Sequence, residues 1–163
     1  MKYILFCIYL LPAAVMAQDC NLKKGQDVIT SKPTLTTGFI DLQGNTLSVD
    51  ISSKEIDFFF VLTGVAVKCL DEETELTMVY EGGKQKQQFK NYGSMNCDGI
   101  FHLIFKNSAY TNSQLQRLSQ KKIVSIQFTG SNPKPYIISL MPDQQVMLQN
   151  TIGCVIKEAK TVL

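Results

Sequence analysis

The chain has 163 residues, of which 45% are hydrophobic, with 16 basic and 14 acidic side chains and no tryptophan. That length suits one domain with a sizeable apolar core. So even a charge balance excludes nucleic acid as a partner, because phosphate recognition needs a clear cationic excess, and it gives no steering toward anionic membranes.

Lys2 followed by the apolar run Tyr3–Leu11, then Val15-Met16-Ala17, has the layout of a secretory signal cleaved after Ala17. The run is shorter than the roughly 20 residues that span a bilayer. Cys20 follows Gln18-Asp19 where a lipidated export signal needs a small residue, so lipidation is not expected. Residues 1–17 therefore read as a signal peptide and residues 18–163 as one β-rich domain, exported to the periplasm or beyond the cell. No later stretch is apolar and long enough to be a membrane span.

Cys7 leaves with the signal, and Cys20, Cys69, Cys97 and Cys154 remain. An even number in an exported domain reads as disulfides, with the three possible connectivities left open. There is no CxxC and only one histidine, which argues against a zinc site or thiol redox chemistry.

Gln18 to Thr36 is a polar lead-in with at most one short strand, Val28-Ile29-Thr30. Gly38–Leu42 and Thr46–Ser52 flank Gly44-Asn45, a hairpin signal, and Leu47, Val49 and Ile51 alternate with polar residues as in a strand with one face on the core. The stretch Glu55–Gly83 holds the densest apolar run, Phe58–Leu62, and a second run, Leu76–Tyr80. Both have strand length and β-forming residues, and with the acidic link Asp71–Thr74 they read as a central hairpin.

Lys84–Asn91 reads as an exposed edge strand whose lysines discourage edge-to-edge pairing. That edge could also accept a partner strand, which proline at Gln87 would test. Asp98-Gly99 marks a turn before Ile100–Phe105, apolar on both faces and so expected to be a central strand. His102 shares a face with Ile100 and Ile104, the setting of a packed histidine. Thr111 and Gln114 have capping-box spacing for a short helix ending near Ser119. Strands follow at Ile123–Phe128 and Tyr136–Leu140, separated by a turn at Gly130–Pro133. Pro142-Asp143 opens a terminal helix with Leu148, Ile152, Val155, Ile156 and Ala159 on one face; strand pairing of Thr151–Ile156 is the competitor. The expected class is α+β, mainly β: an antiparallel sheet or sandwich with one short helix and a C-terminal helix packed on it.

Several of these pieces resemble a group of small exported proteins from Bacteroidetes: the lead-in GQDVITSKPTLTT, the glycine-turn hairpin MVYEGGKQKQQFKN, the turn Asn96–Gly99, the segment QLQRLSQKKIVSIQF and the closing Thr151–Ile156. The resemblance implies a β-rich fold with a C-terminal helix in a Gram-negative envelope, and no activity or catalytic residue.

For function, there is no GxSxG, HExxH, P-loop or GxGxxG, so no catalytic residue, cofactor or metal ligand is assigned. The cluster Asp71, Glu72, Glu73 and Glu75 lacks the spacing of a calcium loop and reads as a solvated turn. Tyr80, Tyr92, Tyr110 and Tyr136 are candidates for amphipathic contacts. The leading expectation is a non-catalytic envelope module that binds a protein, peptide or glycan through a sheet face or loops. The alternative is a small hydrolase whose site is assembled only by the fold.

Overall fold

A computed structural model describes residues 20–64, 69–130 and 134–163. The signal-peptide reading of 1–17 lies outside those residues, as do Val65–Lys68 and most of the turn expected at Gly130–Pro133.

The chain folds into two antiparallel sheets and two α-helices. Strands β1 (Lys23–Gln26), β2 (Pro33–Thr36), β3 (Ile40–Leu42), β4 (Asn45–Ile51), β5 (Glu55–Val61) and β8 (Ile100–Lys106) form a six-stranded sheet in the order β1-β2-β4-β5-β8, with β3 pairing β4. Strands β6 (Glu75–Tyr80), β7 (Lys86–Lys90), β9 (Ile123–Thr129) and β10 (Tyr136–Ser139) form a four-stranded sheet in the order β10-β9-β6-β7. Helix α1 is Ser113–Gln120, and α2 is Pro142–Glu158, continued by a short 3₁₀ turn at Ala159–Val162. Among the described residues, no helix is long and apolar enough to cross a membrane.

Alternation decides which side of each strand is inward. Leu47, Val49 and Ile51 of β4, Ile56, Phe58 and Phe60 of β5, and Phe101, Leu103 and Phe105 of β8 are buried on one side of the six-stranded sheet. Across from them stand Leu76, Met78, Phe89, Ile126 and Phe128. The sheets meet edge-to-face through their rings, Phe60 against Phe128 with centroids 5.5 Å apart, Phe101 against Phe128 at 5.2 Å and Phe89 against Phe105 at 5.7 Å. Leu115 and Leu118 of α1 and Leu148, Ile152 and Val155 of α2 join the same core.

Polar side chains fix how the layers sit. The Tyr136 hydroxyl lies 2.9 Å from both Asn45 Oδ1 and Thr63 O, tying β10 to the β3–β4 turn. Gln144 Nε2 donates to Asp41 O at 3.2 Å and holds the start of α2 on the same turn. The buried Tyr80 hydroxyl donates to Gln87 Oε1, and Gln87 Nε2 donates to Gln114 O at 3.2 Å, so α1 is linked to β6 and β7. Burial pushes the Tyr80 phenol up to about 12.

Cys20, Cys69, Cys97 and Cys154 are paired. Cys20 bonds to Cys154 and ties the chain ahead of β1 to α2; Cys69 bonds to Cys97 and ties the chain ahead of β6 to the loop ahead of β8.

The β-rich class, the β3–β4 hairpin, the edge position of β7 and both helices agree with the sequence. The β3–β4 turn runs through Gln43 and Gly44 at φ 58° and 80°, the left-handed pair that tight hairpins require, one residue ahead of the expected Gly44-Asn45, because Asn45 already pairs with Leu42 at the start of β4. Other expectations are corrected. The runs Phe58–Leu62 and Leu76–Tyr80 are not a hairpin, because β5 pairs with β4 and β8 while β6 pairs with β7 and β9 in the other sheet. Asp71–Thr74 is a small turn closed on itself, with Asp71 Oδ1 accepting from the Thr74 hydroxyl at 2.9 Å. Val28-Ile29-Thr30 is no strand: Asp27 Oδ1 accepts from the Ile29 and Thr30 N–H groups and bends the chain between β1 and β2. Strand β8 is the last strand of its sheet rather than a central one. Asn112, not Thr111, caps α1, accepting from Gln114 N–H at 2.8 Å. Thr151–Ile156 is helical throughout, because Leu148, Ile152 and Val155 need one continuous apolar stripe to reach the core.

Candidate functional site

The outer side of the six-stranded sheet breaks the usual rule of polar residues outward. Register places Thr46, Val61 and Ile100 in one row, Ser48, Phe59 and His102 in the next, and Asp50, Asp57 and Ile104 in the third. Phe59, Val61, Ile100 and Ile104 are half-buried there. The helix residues Leu115, Leu118, Leu148, Ile152 and Val155 belong to the core on the inner side, while on this outer face Ser48 is buried and the apolar side chains stay partly open.

At its centre, Asp57 Oδ2 lies 2.7 Å from His102 Nδ1, with the two side chains 20% and 29% exposed. The residues are far apart in sequence and meet only because β5 and β8 pair. The Phe59 ring meets the imidazole edge-on with centroids 5.0 Å apart. Asp57 Oδ1 is buried without a hydrogen-bond partner. Burial holds the Asp57 carboxyl above its ordinary range; the hydrogen bond and charge of His102 oppose that shift, and Asp50 and Glu55 add to it.

The neighbours are arranged to hold His102. Asn91 Oδ1 accepts from His102 N–H at 3.0 Å and from Gly93 N–H at 3.0 Å, while Asn91 Nδ2 donates to Asp71 O at 3.1 Å. The Tyr92 N–H donates to His102 O at 3.0 Å. Gly93 passes so close that a Cβ there would fall 2.9 Å from His102 Cδ2, so any side chain at this position displaces the ring. Beyond it the loop exposes Tyr92 and Met95, and the Cys69–Cys97 bond and the Leu70–Asn96 bridge pin its far end.

The chemistry open to this arrangement is limited by its hydroxyls. With Nδ1 held by a carboxylate, His102 Nε2 is oriented as in the base half of a catalytic triad. Ser48 stands across Phe59 in the same row, and its hydroxyl donates to Asp50 Oδ2 at 3.1 Å. Among the described residues no hydroxyl bonds to Nε2, and no group of three His, Cys, Asp or Glu side chains is placed to hold a metal ion.

The other candidates from the sequence are dispersed. Cys20, Cys69, Cys97 and Cys154 are consumed in disulfides, which removes the thiol and zinc readings. Of the acidic cluster, Asp71 closes its own turn and Glu73 pairs with Lys90 at 3.3 Å in solvent. Tyr80 is buried and Tyr136 is tied to Asn45, leaving Tyr92 and Tyr110 as the exposed phenols. A groove of about 760 Å³ runs beside the Cys20–Cys154 bond, lined by Leu22, Ile40, Val146 and Met147; Asp143 is its one titratable side chain, so it offers shape without a paired acid and base.

No family model, curated protein or solved structure matches this chain.

Proposed function

We propose that this chain is an exported, non-catalytic binding module that recognises a protein or peptide through the outer face of β5 and β8 and the rim Tyr92–Met95. The observation that carries this reading is the Asp57–His102 pair on a sheet face whose apolar side chains Phe59, Val61, Ile100 and Ile104 stay partly exposed. A largely buried carboxylate with an unpaired oxygen, cross-strand from Asp50, disfavours folding. Groups retained against stability mark surfaces kept for another purpose. Aromatic and methionine side chains around them give the mixed apolar and polar character of interface centres. Export is supported by two disulfides, which persist in oxidising compartments, and by the basic and apolar character of the N-terminal sequence.

The test immobilises the oxidised domain, passes envelope extract over it, and compares wild type with the double variant Phe59→Ser, Ile104→Ser. Loss of a discrete retained species in the folded variant supports the reading; equal retention contradicts it.

The hydrolase reading draws on one observation, the free Nε2 of an imidazole oriented by Asp57. Turnover of an ester, amide or glycoside by wild type, abolished in His102→Gln, would move the assignment to an enzyme.

A further inference from the structure

The two strands that end the sheets at β8 and β7 treat their free rims differently. The rim of β8 is occupied at His102, whose N–H and C=O bond to Asn91 Oδ1 and Tyr92 N–H. The rim of β7 is open. Its backbone phase follows from two bonds at its ends, Tyr80 N–H to Gln85 O at 3.1 Å and Asn91 N–H to Thr74 O at 3.0 Å. Bonded pairs in an antiparallel ladder recur at every second residue. With Leu76 opposite Phe89 and Met78 opposite Gln87, it is Gln87 and Phe89 that bond to β6. The N–H and C=O groups of Lys86, Gln88 and Lys90 point away from the sheet, and no hydrogen bond reaches them among the described residues. Their side chains are exposed, whereas Gln87 and Phe89 are buried on the core side.

We infer that β7 is an acceptor edge for an extended acidic peptide, which adds to the four-stranded sheet beside Lys86, Gln88 and Lys90. Charge selects the occupant. An antiparallel second copy centred on Gln88 would set Lys86 against Lys90 twice, and like charges directly opposite are unfavourable. Edge lysines thus block self-pairing, yet they favour a strand with carboxylates opposite them. The structure already places a carboxylate at one of these positions: Glu73 reaches Lys90 Nζ at 3.3 Å, in a pair so exposed that an incoming carboxylate can replace it. Lys86 has no ion-pair partner among the described residues. The matching peptide carries acidic residues four apart, opposite Lys86 and Lys90, and apolar residues between them on the side of Gln87 and Phe89. Main-chain bonds supply affinity in this mode and alternate side chains supply selectivity.

This edge is separate from the outer face of β5 and β8, and either surface stands if the other fails. Because Gln87 N–H belongs to the β6–β7 ladder, proline at Gln87 would break the fold's own pairing; Gln88→Pro removes an outward N–H and leaves that ladder intact.

The test is fluorescence anisotropy of a labelled pentapeptide with glutamate at both ends and valine at the second and fourth positions, against the same peptide with lysine at both ends. The acidic peptide is expected to bind the oxidised domain, to weaken about tenfold or more in Gln88→Pro, and to stay within about twofold in Gln88→Ala. If Gln88→Pro does not fold, the double reversal Lys86→Glu, Lys90→Glu decides instead, and should exchange preference to the basic peptide. Equal binding of both peptides, undiminished binding in folded Gln88→Pro, an unchanged preference in the double reversal, or self-association through β7 would each overturn the inference. Phe59→Ser, Ile104→Ser, which alters only the other surface, should leave peptide binding unchanged.

Discussion

The outer side of the four-stranded sheet carries Ser125, Gln127, Lys86, Gln88 and Lys90, with Thr77 and Val79 buried among them and Ile137 the exposed apolar side chain beside Gln127. The solvent side of the six-stranded sheet carries Phe59, Val61, Ile100 and Ile104 around the hydrogen-bonded Asp57–His102 pair. Both sheets share one core, so burial within the domain explains the inner residues of each and leaves this difference unexplained. An ordinary solvent face needs neither half-exposed apolar rows nor a carboxylate whose burial outweighs its partner. The contrast separates what folding requires from what is available for recognition.

The largest expected effect concerns the two staples that hold the contrasting regions. In the chain-entropy model, closing the Cys20–Cys154 loop, 134 residues apart, is worth about 5 kcal/mol, and closing Cys69–Cys97, 28 apart, about 3.5 kcal/mol. Replacing each pair by serine and comparing urea unfolding should rank them in that order. The reverse ranking would mean that the loop at Tyr92–Met95 is strained or ordered in a way chain length does not describe.

Next comes Asn91→Ala, which leaves the His102 and Gly93 N–H groups without their acceptor at a buried position. A loss of about 1–3 kcal/mol is expected. Chemical-shift changes should centre on the His102 ring and leave β9 and β10 in place.

Smaller still are substitutions on the two outer faces. Ile104→Ser and Gln127→Ser should each cost within about 1 kcal/mol, since both side chains are only partly buried. If Ile104→Ser costs several times more, that face is core covered by something else, and the contrast between the sheets dissolves.

The smallest effect is read from pH. The folded Asp57 carboxyl is raised by burial, so the native state keeps its proton to higher pH than the unfolded chain. Stability from this group is full below the ordinary aspartate range and is lost as pH rises through the raised value. The unfolding free energy of wild type relative to Asp57→Asn should therefore fall as pH rises through that window. A flat difference would show that His102 fully offsets the burial of Asp57, and one that grows with pH that it more than offsets it.

Much of the architecture was legible because it is periodic. Leu47, Val49 and Ile51 declare their strand, Gly44-Asn45 marks its turn to within one residue, and Leu148, Ile152 and Val155 declare their helix. Strand pairing was not legible: two apolar runs joined by an acidic link look like a hairpin, and only the fold shows them in separate sheets. Val28 and Ile29 look like strand residues, yet Asp27 Oδ1 accepts from the Ile29 and Thr30 N–H groups and bends the segment into a turn. The pair Asp57–His102 escaped for the same reason as the pairing. A signal was present, because each lies in an apolar strand on the parity opposite its buried phenylalanines. Reading both as outward facing required knowing that β5 lies beside β8.

The most direct test of the proposed recognition face is site-specific photocrosslinking in cells that produce the protein, with a photoreactive residue at Ile104 on one sheet and at Gln127 on the other. The account predicts a discrete covalent adduct from position 104 and none from position 127. Adducts from 127 alone, or the same products from both positions, would contradict it.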